Sequence, residues 1–387
     1  MNPTSGNAPD WDRFAHWPRL PALVLLAVTA VLLVLATLVP IQAGEDASSG
    51  SASETQSAAP AERPRDDDLL LYDGVIVRLQ HGQGYYDAVV AEHRQRHYPL
   101  RPGLSVRLPT LAVIEAKLAL PFQIAAAVLL LLGVLAAWWR KFGEEPGGAA
   151  VRTVAMAALF FGASIGTIRY FYVLHELWVG SLLALSFGLY RPTQGKWAQG
   201  KWLGAFTAAA AALALRETAL PFVMLMAAYA LWHRRWKEAA AWLALIAVFA
   251  AGLAWHLHIV AQYVLPSDPA GASWLTLRGL GGWLSMIVLA SNLRWLPHTV
   301  AGPIVILMML GWASWRTRSG SFGTMLLLGY GCAFMIAGRP DNWYWGMVAA
   351  PTMFVGLAFL PNAMPSLWRA GFPAKPPVAP GAGLGQS

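Results

Sequence analysis

"LPALVLLAVTAVLLVLATLV", residues 20–39, runs for twenty residues without a charge. As a helix rising 1.5 Å per residue it is long enough to cross the hydrocarbon of a bilayer. In lipid every backbone polar group has to be satisfied within the segment, and for a single apolar run that means a helix. Comparable runs recur along the chain as far as "GMVAAPTMFVGLAFLPNA". Hydrophobic residues make up 57% of the sequence and charged residues 12%, where soluble domains run near 45–50% and about 25%. These features predict an all-α polytopic membrane protein. The first run exceeds the roughly 7–15 residues of a signal-peptide core, so it reads as an uncleaved anchor.

Hydropathy places ten spans near 20–42, 119–139, 150–168, 172–190, 202–215, 218–233, 239–262, 298–315, 321–338 and 345–363. The segment "GGWLSMIVLASNLRW", 281–295, reads as an interfacial or re-entrant helix rather than an eleventh span. Basic residues favour the inner side of membrane helices. Ten spans with an inner N-terminus put Arg140, Lys141, Arg152, Arg191, Lys196, Lys201, Arg234, Arg235, Lys237, Arg316 and Arg318 in the inner loops. An eleventh span would throw Arg316 and Arg318 outside. Of the acidic residues only Asp10, Asp12, Glu144, Glu145 and Glu238 then fall inside, so the acid chemistry belongs to the outer side.

The organisation that follows has an inner N-terminus (1–19), a first helix (20–42), a flexible linker (43–65), an outer loop (66–118), a bundle (119–363) and a disordered inner tail (364–387). The linker is rich in small residues, Ser and Pro and has no core-forming pattern. The loop is different. Leu69, Tyr72, Ile76 and Leu79 recur at helical spacing. Gly82 and Gly84 break the pattern, and Tyr85 to about His97 makes a second amphipathic helix. Such a pair is expected to lie on the membrane surface. The net charge of +8 is accounted for by inner-loop lysine and arginine. With no basic block, no nucleic-acid partner is expected. Cys332 is the sole cysteine, so no disulfide forms within the chain.

The densest chemistry lies in "RDDDLLLYDGVIVRLQHGQGYYDAVV", residues 65–90. Three aspartates, Asp66, Asp67 and Asp68, open an amphipathic helix. Aspartates at a helix start can serve as caps and favour its dipole. Asp68 and Tyr72 share one helix face, four residues apart. Arg216 and Glu217 interrupt an apolar run at the outer end of two spans. They read either as a turn held by a local ion pair or as a contact to an anionic substrate. Arg339 and Asp341 sit in an aromatic outer turn, and His175 and Glu176 start a span. Glu92, His93 and His97 could hold a metal, but a solvated helix accounts for them as well. His256 and His258 face different ways on a helix. "HELWV" lacks the second histidine of a zinc-protease helix.

"DLLLYDGVIVRLQHGQGYY" resembles the first outer loop of GT-C superfamily membrane glycosyltransferases, among them protein O-mannosyltransferases and lipid A aminoarabinose transferases. The similarity matches Asp68, Tyr72, Gly82 and the Tyr85–Tyr86 pair. "YPLRPGLSVRLPTLA" resembles the following proline-containing stretch, with Arg107 in the place of its cation. "LALRETALPFVMLMAAYALWHRRWKEAAAW" and "RPDNWYWGMVAAP" are similar to later segments of bacterial members. The resemblance implies a GT-C-like fold and a polyprenyl-phosphate-linked sugar donor. It also implies a membrane lipid or glycan acceptor and a site on the periplasmic face of a bacterial inner membrane. Asp68 would be the general base, with Asp67 and Asp73 as alternatives. Tyr72, Tyr85, Tyr86, Arg107, Arg216, Glu217 and Arg339 would bind substrate. No cofactor is firmly implied, though a divalent metal is compatible. The competing reading is a lipid or solute transporter or flippase, against which no internal repeat of the first loop occurs in the second half.

Overall fold

The computed structural model of the chain describes residues 11–41, 66–191 and 202–373. Within them the chain is helical, with three isolated β-bridges and no strand. The helices are α1 (Arg19–Leu38), α2 (Asp67–Gln80), α3 (Tyr85–Gln95), α4 (Pro109–Lys117), α5 (Leu120–Glu144), α6 (Gly148–Ala163), α7 (His175–Leu189) and α8 (Leu203–Leu215). They continue with α9 (Leu220–Trp232), α10 (Trp236–Tyr263), α11 (Gly279–Leu289), α12 (His298–Ser314), α13 (Arg318–Ile336), α14 (Ala350–Met353) and α15 (Leu360–Gly371).

Five helices are long and apolar enough to cross a membrane: α1, α5, α6 with its extension to Thr167, α10 and α13. A sixth appears if the run from Pro340 to Gly371 counts as one span despite a bend of 61°. Shorter apolar helices, among them α8, α11 and α12, lie between them. The expected span at 345–363 is therefore bent rather than one straight helix. Pro340, Pro351 and Pro361 each stand in the first turn of a new short helix, where a missing N–H and a fixed φ are tolerated. The chain changes direction by 61° between Val348 and Ala350 and then runs helical to Gly371. The expected disordered tail also starts too early. Residues 364–371 belong to α15, whose Ala363 and Leu367 pack with Phe14, Ala22 and Leu310. The linker 43–65 and the tail beyond 373 lie outside the described residues.

The helix α11 is only 11 residues long, and Gly282 to Val288 are all buried. The 281–295 segment is thus a short helix enclosed by the rest of the protein. At the centre stands α7, buried from His175 to Leu177 and along most of its length. Gly180 is required there, because a Cβ would come within 2.0 Å of the Met347 carbonyl oxygen. That close approach seats the 340–348 segment on α7.

In the loop, Gly82 takes φ +85° between α2 and α3, the turn its position predicted. The apolar faces of these helices are covered by protein rather than left to a membrane surface. Leu69 packs with Phe171, Leu174, Trp343 and Tyr344. Val75, Val89 and Val90 pack with Leu100, Val106 and Val260 of α10. Each such side chain contributes about 1.5–3 kcal/mol when fully buried. Arg94 locks the loop further through a two-pronged hydrogen bond to Asp268, at 2.9 Å for each oxygen.

The bundle thus has two unlike ends. One gathers Trp11, Lys141, Pro146, Arg191, Arg235 and Trp315. The other gathers Asp68, Arg107, Arg216, Arg339 and Tyr344. All the residues expected to carry chemistry lie at the second end.

Candidate functional site

Asp68 lies in the first turn of α2. The Asp66 side chain makes no cap hydrogen bond, and its backbone N–H donates to the Tyr170 hydroxyl at 3.1 Å. Asp67 is exposed and points away. Asp73 is about one and a half turns further on, on another face. Asp68 is gripped by a residue from elsewhere in the loop. Tyr98 donates its hydroxyl to Asp68 Oδ1 at 2.6 Å. His97, in the left-handed region at φ +58°, turns the chain so that Tyr98 comes back over the start of α2. Burial pushes the Asp68 carboxyl above the ordinary aspartate range, against the pull of the Tyr98 hydrogen bond and the Arg107 charge. Tyr98 is itself raised, by burial and then by Asp68, and stays a donor.

Arg107 is held by neutral acceptors. Its Nε donates to the Tyr72 hydroxyl at 3.1 Å, Nη1 to the Leu104 carbonyl at 3.4 Å and Nη2 to the Tyr344 hydroxyl at 3.4 Å. Tyr85 fixes its backbone by donating to the Arg107 carbonyl at 2.5 Å. Among the described residues no carboxylate lies within ion-pair distance of Arg107. Its charge is therefore oriented without a direct ion pair, and Glu217 and Asp68 act on it only through space. A narrow cavity beside it is lined by Tyr72, Tyr85, His93, Glu115 and His175. Asp68 stands outside that lining.

Arg216 differs. It is fully buried between Glu176 and Glu217, with Nη1 on Glu176 Oε1 and Nε on Glu217 Oε1 at 3.2 Å. The local pair expected from sequence exists, and the buried partner from α7 was not expected. Glu176 Oε2, Arg216 Nη2, Thr218 Oγ1 and Trp345 Nε1 are buried without a hydrogen-bond partner. The Arg216 guanidinium lies 6.0 Å from the Trp345 ring centre. Arg339 forms a forked pair with Asp341, at 3.1 and 2.7 Å, and Nη1 reaches the Ala272 carbonyl.

The tyrosine pair divides its work. Tyr85 supports Arg107, while Tyr86 stacks on Tyr263 and bonds His256 Nδ1 at 3.1 Å, so it docks the loop on α10 instead of joining the Asp68 group. Glu92 is engaged by Arg78 and Arg96, and buried His93 bonds the Pro99 carbonyl. Among the described residues no group of three His, Cys, Asp or Glu is arranged to hold a metal. Sequence reasoning missed Tyr98 and Tyr344 as partners of Asp68 and Arg107. Both stand in quoted motifs, yet nothing in local spacing ties residue 98 to 68 or 344 to 107.

An aspartate raised by burial, near an arginine with no direct ion pair and tyrosine hydroxyls, can accept a proton while an anion departs nearby. Comparison with known proteins finds no matching family model, no matching curated protein and no matching solved structure.

Proposed function

We propose that the chain is a membrane glycosyltransferase of GT-C type, moving a sugar from a polyprenyl-phosphate carrier to a lipid or glycan acceptor. The acceptor hydroxyl oxygen attacks the anomeric carbon and a new C–O bond forms. The bond to the carrier phosphate breaks, and its electron pair leaves with the phosphate. Asp68, through the oxygen not held by Tyr98, takes the acceptor proton. Arg107 stabilises the departing phosphate, for which a guanidinium fork is well matched. A single displacement inverts the anomeric configuration. Arg216, already neutralised by two glutamates, shapes the site and leaves anion binding to Arg107.

The observation that carries this reading is Arg107. It is positioned by three neutral acceptors and left without a direct ion pair, at the same end as Asp68. Ten membrane crossings, with the Asp68 end periplasmic in a bacterial inner membrane, belong to the same proposal. The clustering of Lys141, Arg191 and Arg235 at the opposite end supports that orientation.

A second reading, a lipid flippase or transporter, draws on the broken run 340–371 and the short buried α11, since discontinuous helices are common in transporters. Purified protein given radiolabelled polyprenyl-phosphate sugar separates the two. Transfer to acceptor, or slow release of free sugar, is the expected result. Lipid translocation in vesicles with no transfer or release would favour the second reading.

A further inference from the structure

At the end opposite Asp68, α5 and α6 diverge around a surface groove of about 570 Å³. Leu135, Ala136, Met156, Ala157 and Phe160 line its length, and Trp139 and Arg140 close its polar end. Phe160 is 51% exposed and Trp139 47%, so the groove opens outward. Arg152, in the first turns of α6, lays its guanidinium 4.0 Å from the Trp139 ring centre. This is a cation–π contact that holds the charge over the groove mouth.

The carboxylates in this corner are already taken. Glu144 pairs with Arg191, and Glu145 meets Lys141 and Ser319. Among the described residues neither Arg140 nor Arg152 has an ion-pair partner. Two uncompensated arginines beside an aromatic ring, above an apolar channel, match a phosphate ester that carries an acyl chain. Basic pockets between membrane helices bind anionic head groups by this chemistry.

We propose that the α5–α6 groove binds one anionic phospholipid, its acyl chain along Met156 and Phe160 and its phosphate at Arg140 and Arg152. Neutral or zwitterionic lipid satisfies the apolar lining but not the two charges.

The test is native mass spectrometry of the full chain, released from nanodiscs holding equal phosphatidylglycerol and phosphatidylcholine of the same chain length. The wild type is expected to retain one phosphatidylglycerol in roughly thirtyfold preference, the factor that two arginines supply at a membrane surface. Arg140→Gln/Arg152→Gln should bring the preference near unity. Ala157→Trp keeps both charges and fills the groove, and it should lower retention of phosphatidylglycerol. Soluble glycerol phosphate, which lacks the chain, should not compete. Equal retention of the two lipids by the wild type, or unchanged preference in the double variant, would overturn the proposal. Full competition by glycerol phosphate would overturn the acyl-chain part. Thermal unfolding of each variant identifies any that is misfolded, and Ala157→Trp decides the matter if the double variant fails that check.

Discussion

The two ends of the bundle handle buried charge differently. At the Trp315 end, Lys141 Nζ donates to the Tyr190 carbonyl at 2.7 Å, Arg235 reaches the Tyr190 hydroxyl and Glu238, and Trp315 Nε1 donates to the Pro146 carbonyl at 3.0 Å. These two cations each meet an acceptor of the protein, and Phe142, Trp312, Trp315 and Phe359 seal the joint with ring contacts. At the Asp68 end, Glu176 Oε2, Arg216 Nη2, Thr218 Oγ1 and Trp345 Nε1 remain unsatisfied, and Arg107 has no carboxylate partner. A buried polar atom without a partner costs about 1–3 kcal/mol. The other end also leaves Asp12 Oδ2 and Arg13 Nε without partners, so the ends differ in degree, and the larger cluster of such costs lies at the Asp68 end.

The largest expected effect breaks the buried pair. Arg216→Met leaves the Glu176 carboxylate buried and alone, which should destabilise the protein by about 3–5 kcal/mol. Arg216→Met/Glu176→Leu removes both charges and should regain most of the loss. Thermal unfolding in detergent measures both. Activity should recover along with stability if the pair only shapes the site, as proposed here.

Next comes Arg107. Its replacement by Ala should lower sugar transfer about 10²–10³-fold, the cost of about 2.7–4 kcal/mol typical of a lost oxyanion donor. Arg107→Lys should retain part of the rate. Turnover assays at equal membrane expression give the ranking, and wild-type turnover in the alanine variant would remove Arg107 from the chemistry.

The third effect is of pH on the loop. His93 is 3% exposed, and burial holds its pKa down to about 4. The unfolded ring titrates near 6.5. Between those values the unfolded state binds the proton and the folded state does not, so loop stability falls as pH drops from about 6.5 towards 4. The loss should be of order 3 kcal/mol. Hydrogen exchange over residues 85–118 should quicken with acid, and His93→Leu should flatten that dependence.

The smallest effect belongs to the Trp315 end. Arg235→Met takes the cation from buried Glu238, which keeps Trp242 Nε1 as a donor, and should cost about 1–3 kcal/mol, with transfer unchanged. A large fall in transfer would show that the two ends are not functionally separate.

The sequence made the helical class legible because lipid crossing imposes long apolar runs, and α1, α5, α10 and α13 match their expected ranges to within a few residues. The loop helices were legible from the spacing of Leu69, Tyr72 and Ile76 and from the Gly82 break. The bend of 61° near residue 349 was not legible at 345–363, because hydropathy counts apolar residues and does not register a change of direction. The tail boundary was misread because α15 finds its apolar partners on α1 and α12, far away in sequence. At the site, Asp68 and Arg107 stood out as charges beside apolar stretches. Their partners Tyr98 and Tyr344 did not, since a hydroxyl across 30 or 237 residues leaves no periodic trace.

Asp68 carries the proton transfer in the proposed reaction. The direct measurement is the initial rate of sugar transfer from radiolabelled polyprenyl-phosphate sugar by wild type, Asp67→Asn, Asp68→Asn and Asp73→Asn, at equal membrane expression. Asparagine keeps the shape of the side chain but cannot take the acceptor proton. Asp68→Asn is expected to bind donor and to transfer at least ~10²-fold more slowly, while the other two stay near wild type. Full activity in Asp68→Asn would contradict the account.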